Sequence, residues 1–71
     1  MHSDTAQSYH HTGMCYIYNG NVDAALQNYQ QALEIRTAVL GELHPDTAHS
    51  CNNVGLCYDD KADYDQALEF E

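Results

Sequence analysis

The chain predicts an all-α solenoid of helical hairpins, about 1.7 repeats long. Two observations carry that prediction. The first is an internal repeat with a period of 42 residues. Asp4-Thr5-Ala6 returns as Asp46-Thr47-Ala48, Gly13-Met14-Cys15-Tyr16 as Gly55-Leu56-Cys57-Tyr58, and Asp23-Ala24-Ala25-Leu26 as Asp65-Gln66-Ala67-Leu68. Laying residues 2–29 on 44–71 gives eleven identities in 28 pairs, where unrelated segments share about one or two. A fixed period in this range marks stacked supersecondary units, each burying its apolar face against a neighbour. The second observation is the spacing of apolar and small residues, which falls in steps of three and four throughout, the signature of helix faces.

The elements follow in order. Ala6, Tyr9, Gly13, Tyr16 and Ile17 form one face of a first helix over about 4–19. Asn19-Gly20-Asn21 breaks it, because Gly20 suits a left-handed C-terminal position and Asn21 can cap the next helix. The second helix spans about 22–40 and carries Val22, Ala25, Leu26, Tyr29, Ala32, Leu33, Arg36, Val39 and Leu40 on its spaced face; Gly41 ends it. Pro45 fits the first turn of a third helix over about 46–60, where its missing N–H costs nothing. Ala48, Cys51, Val54, Gly55 and Tyr58 repeat the first helix there. Asp63 is expected to cap a fourth helix over 64–71, as Asn21 caps the second. The organisation is therefore a first hairpin at 1–43 and a second, incomplete one at 44–71. Gly13 and Gly55 each cost a helix about 1 kcal/mol relative to Ala. Their recurrence predicts close helix crossings, with Ala25 and Ala67 as the matching small surfaces. Solenoids usually need about three repeats for stability, so the chain is expected to be a piece of a longer array or to self-associate through its open ends.

Composition narrows the function. The net charge is −9, with Arg36 and Lys61 as the only basic residues. Groups that neutralise phosphate are nearly absent, which argues against nucleic acid and anionic membrane surfaces as partners. A basic peptide or protein surface fits the charge better. Three cysteines, Cys15, Cys51 and Cys57, make an odd number. No stretch approaches the roughly 18 apolar residues of a membrane span, and Met1 is followed by polar residues rather than a leader. Reduced thiols and a cytoplasmic location are the expectation.

Site chemistry gives little. His10 and His11 are adjacent, so on a helix they point about 100° apart. Cys51 and Cys57 lie six apart, outside zinc-type spacing. Asp59, Asp63 and Asp65 suggest a calcium loop, but Tyr64 stands where such a loop needs Gly and Phe70 where it needs Glu. No phosphate loop, nucleophile elbow or Ser/His/Asp constellation is present. No metal, cofactor or catalytic residue is expected, and the chain reads as a non-enzyme.

The residues Tyr9, Gly13, Tyr16, Ala25, Tyr29 and Ala32, with Val54-Gly55, Tyr58 and Ala67 in the second copy, resemble a tetratricopeptide repeat. The longer period and the segment Leu40-Gly41-Glu42-Leu43-His44-Pro45-Asp46-Thr47-Ala48 are similar to the variant found in kinesin light chains and nephrocystin-like proteins. Thr12 and Cys51 depart from the pattern, standing where the family has Leu and a large aromatic. The resemblance implies that first helices of successive hairpins line a concave groove in which a peptide lies. By position, that groove is expected to carry Gln7, His10, His11, Met14, Ile17 and Tyr18 from the first copy. From the second it carries His49, Asn52, Asn53, Leu56, Asp59 and Asp60. Asn53 is the strongest single candidate, since it resembles the family asparagine whose amide holds the ligand backbone, and His11 holds the equivalent place in the first copy. Asp59 and Asp60 favour a ligand bearing Lys or Arg. The implied function is a protein–protein interaction scaffold of the kinesin light chain-like cargo-adaptor kind. An architectural spacer, and a regulatory arm on a larger enzyme or signalling protein, are the alternatives.

Overall fold

The computed structural model describes residues 3–69, with side chains from Asp4 to Asp63. It contains three helices, α1 (Ser3–Tyr18), α2 (Val22–Leu40) and α3 (Pro45–Glu69), and no strand among the described residues. The Cα radius of gyration is 13.1 Å, against about 11 Å for a compact domain of this length. The extents of 44 × 22 × 13 Å are those of a slab one helix layer thick.

Local chemistry sets the two turns. Gly20 adopts φ 81°. Its N–H donates to Ile17 O at 3.0 Å while Asn21 N–H donates to Tyr16 O at 2.8 Å, the paired bonds of a Schellman C-cap. The Asn21 side-chain oxygen then accepts from Ala24 N at 3.1 Å and caps α2. Gly41, at φ 88°, closes α2 with its N–H on Thr37 O. His44 caps α3 through Nδ1, which accepts from Asp46 N at 3.1 Å, and Pro45 occupies the first turn.

Helix α2 lies between the other two. Arg36 meets Ser50, Gln30 meets Tyr58 at 3.1 Å and Asp23 meets Lys61 at 3.0 Å, so α2 and α3 run antiparallel. His10 meets Asn53, and the Asn19–Asp23 turn lies beside Asp60, so α1 and α3 run in the same direction. The core is Ala25, Leu26, Tyr29 and Cys57, with Met14, Ile17, Val22 and Val54 packed against it. Being flanked on both sides, α2 buries a wider arc than one stripe. Ile35 and Arg36 are buried while Val39 is half exposed, although Val39 and not Ile35 belongs to the spaced face in the sequence.

Two sequence expectations need correction. Gly13 does make a close crossing, and the atoms nearest to it there are those of the Tyr29 ring. A Cβ on Gly13 would lie 2.8 Å from Tyr29 Cε1, whereas one on Gly55 would meet nothing within 4 Å. The fourth helix expected at 64–71 is not separate, because α3 runs unbroken through Asp63 to Glu69. The cause is visible in the repeat: where the first copy has Gly20, the second has Ala62. An alanine pays a steric penalty at positive φ and is the best helix former. Phe70 and Glu71, the end of the expected fourth helix, lie outside the described residues.

Candidate functional site

An open trough of about 400 Å³ runs between α1 and α3, lined by His10, Met14, Ile17, Tyr18, His49 and Asn53, with Tyr29 of α2 as its floor. The register of the two parallel helices creates it. His49 and Asn53 stand one turn apart on α3 and face His10 on α1, while Met14 and Ile17 continue the wall one and two turns further along α1. Tyr29 reaches the floor because Gly13 has no side chain to block it.

At the centre, Asn53 Nδ2 lies 3.2 Å from His10 Nδ1. The amide nitrogen only donates, so Nδ1 is the acceptor and the ring is neutral in this arrangement. The His10 ring also stands 5.2 Å from that of His49, 5.7 Å from Tyr29 and 5.8 Å, edge-on, from His11. Partial burial holds the His10 pKa below its ordinary value, and Arg36, His49 and His11 push it the same way. Burial likewise raises the Tyr29 phenol, with Cys57 and Tyr18 adding to the shift, and raises the Cys57 thiol, with Asp60 adding to it.

Beneath this end of the trough sits Arg36, about 8 % exposed. Its Nη1 donates to Ser50 Oγ at 2.7 Å and to Asp46 O at 3.4 Å. Among the described residues no carboxylate pairs with it. Beside it, Thr47 Oγ1 is buried without a hydrogen-bond partner.

Of the groove residues expected from the sequence, His10, Met14, Ile17, Tyr18, His49 and Asn53 come together. Gln7 and His11 are exposed on α1 and do not line the trough. Asn52, Leu56 and Asp59 face a second, larger concavity of about 960 Å³ with Leu33 and Thr37, on the side of α3 that carries Gly55, and His49 borders it as well. Asp60 lies further along, beside the α1–α2 turn with Asp23 and Lys61. The Lys61–Asp23 pair there is largely exposed and of the kind that contributes little to stability. The sequence-based groove lacks Tyr29, which lines the trough, and Arg36, which stays outside the lining but acts on the charge of His10. Both sit on α2, whose buried face reads as core. A polar or phenolic group on that face is the signal that distinguishes them.

Among the described residues no helix is long and apolar enough to cross a membrane. The family model described as tetratricopeptide repeat matches residues 4–71. No curated protein and no solved structure gives a match.

Proposed function

Because the chain belongs to the tetratricopeptide repeat family, whose members mediate protein–protein interaction, we propose that it binds a peptide segment of a partner protein in the α1–α3 trough. The observation that carries this reading is the trough itself. It offers a continuous apolar wall from Met14, Ile17 and Tyr18, an aromatic floor from Tyr29, and one amide, Asn53, placed to bond a peptide backbone. A ligand amide competes there with His10 for Asn53, and the exchange keeps every polar group satisfied. Basic residues of the ligand reach Asp60 beyond the trough. In its longer period and its Leu40–Ala48 segment the chain resembles kinesin light chains, so the reading extends to a cargo-adaptor segment acting in the cytoplasm. The three free cysteines suit a reducing compartment.

The test is to pan a displayed library of random peptides against the chain and measure the selected peptides on the Asn53→Ala variant. Selected peptides whose affinity falls about tenfold, a loss of about 1.4 kcal/mol, support the trough. A library that enriches nothing, or peptides indifferent to Asn53→Ala, supports an architectural spacer instead.

A further inference from the structure

Eleven acidic residues against two basic ones make the charge distribution around the trough unexpected. One of the two cations, Arg36, is buried at the same end as His10, His11 and His49. The groups that face His10 can be taken helix by helix: His11 on its own α1, Arg36 and Tyr29 on α2, and His49 and Asn53 on α3. No carboxylate is among them. The opposite end differs in sign, with Asp23 and Asp60 outnumbering Lys61, which pairs with Asp23. Counting 100° per residue, Asp60 lies within about 20° of His49 around α3, on the face that carries Asn53. The eleven-residue step from His49 to Asp60 spans about 16 Å of helix.

We propose that the trough takes an extended peptide of bipolar charge, with a carboxylate side chain at the His10–His49 end and a lysine or arginine four residues away at Asp60. The inference rests on the peptide-binding reading above. The spacing follows from chain geometry. Four residues of extended chain cover about 13 Å and return the side chain to the same face, and a lysine stem covers the remainder. The residue midway between them also faces the trough, over Met14 and Tyr29, and is apolar. The acidic end is conditional on pH. Histidines take up protons between about pH 5 and 8, and with no carboxylate nearby a charge that appears on His10 is opposed by burial and by Arg36. A ligand carboxylate relieves that repulsion, so peptide binding takes up protons and strengthens as pH falls. A glutamate side chain, with an ordinary pKa of about 4.3, stays charged through this range. Protonation also turns His10 Nδ1 into a donor, to which Asn53 can turn its Oδ1, and this leaves the Asn53 amide nitrogen for the ligand backbone.

The experiment uses two probes on the 71-residue chain: acetyl-Glu-Ala-Leu-Ala-Lys-amide, and its neutral counterpart with Gln at both ends. Binding is followed by NMR through the Asn53 side-chain amide and the His10 and His49 ring protons, at pH 5.5 and 7.5. At pH 5.5 the charged peptide should bind about fivefold more tightly than the neutral one, as expected for two exposed charge pairs. The difference should shrink at pH 7.5. His10→Gln should remove most of the pH dependence, and Asp60→Asn should remove the contribution of the lysine. Equal affinity of the two peptides, or a preference indifferent to pH, overturns the bipolar reading and leaves the trough as a peptide site. Trough signals that respond to neither probe also overturn it. The broader reading falls only if the displayed library enriches nothing as well.

Discussion

Asn53 on α3 donates its side-chain amide to Nδ1 of His10 on α1 across 3.2 Å, and this bond joins the two walls of the trough. In this orientation of the amide it requires a neutral Nδ1; a protonated His10 keeps a bond only if the amide turns to present Oδ1. The folded protein holds the His10 pKa below its ordinary value, through burial first and then through Arg36, His49 and His11. The sign follows from linkage. A group whose proton is disfavoured in the folded state contributes stability above its unfolded pKa, about 6.5 for histidine, and loses it as pH falls through that value. Thermal unfolding should therefore shift to lower temperature between pH 7.5 and 5.5. His10→Gln should flatten this dependence; an unchanged slope in that variant would assign the effect to other groups.

The two mid-helix glycines should respond in opposite directions to alanine. At Gly13 the new Cβ falls 2.8–2.9 Å from the Tyr29 ring, and Tyr29 is buried in the core. Overpacking of this kind costs about 1–3 kcal/mol, which outweighs the gain of about 1 kcal/mol in helix propensity. At Gly55 nothing stands within 4 Å, so Gly55→Ala should stabilise by about 0.5–1 kcal/mol. Urea denaturation of the pair measures both signs in one experiment.

Arg36 and Thr47 make a second contrasting pair. Ser50→Ala removes the hydroxyl that accepts from Arg36 at 2.7 Å and leaves a buried guanidinium short of a partner, at a cost of about 1–3 kcal/mol. Thr47→Val removes a buried hydroxyl that has no partner and keeps the branched shape. It should be neutral or stabilising, since desolvating an unpaired hydroxyl is itself costly. A large destabilisation by Thr47→Val would mean that a water or ligand group bonds that oxygen.

The continuity of α3 is open to a direct test. Ala62 occupies the place that Gly20 holds in the first turn. Ala62→Gly should lower local helix stability by about 1 kcal/mol and supply the residue a left-handed turn requires. Amide hydrogen exchange near residue 62 should accelerate by about fivefold. No acceleration would show that the segment is not held as helix in solution.

Much of the architecture was legible in the chain because it rests on local chemistry. The Asn19-Gly20-Asn21 turn, the Asn21 cap, the stop at Gly41 and the place of Pro45 each follow from what one or two residues permit the backbone. The repeat likewise announced stacked hairpins, because residues of one type at equal intervals meet equal surroundings. Half of the expected groove residues converge for the same reason, since a helix face is a matter of spacing.

What tertiary structure alone decided concerns contacts between helices. The 42-residue pattern predicts that Asp63 begins a new helix as Asn21 does, yet the backbone follows Ala62 and continues; similarity of type did not include the one glycine that the turn needs. Tyr29 and Arg36 read as core from their spacing on α2. Only the register of α2 between two neighbours shows that Tyr29 floors the trough and that Arg36 lies under its histidines. The meeting of Asn53 with His10 separates residues 43 positions apart in sequence by one hydrogen bond. Spacing along one helix specifies which face a side chain takes. Which side chain stands opposite is set by how far one helix has slid along another, and that depends on the packing of the whole core.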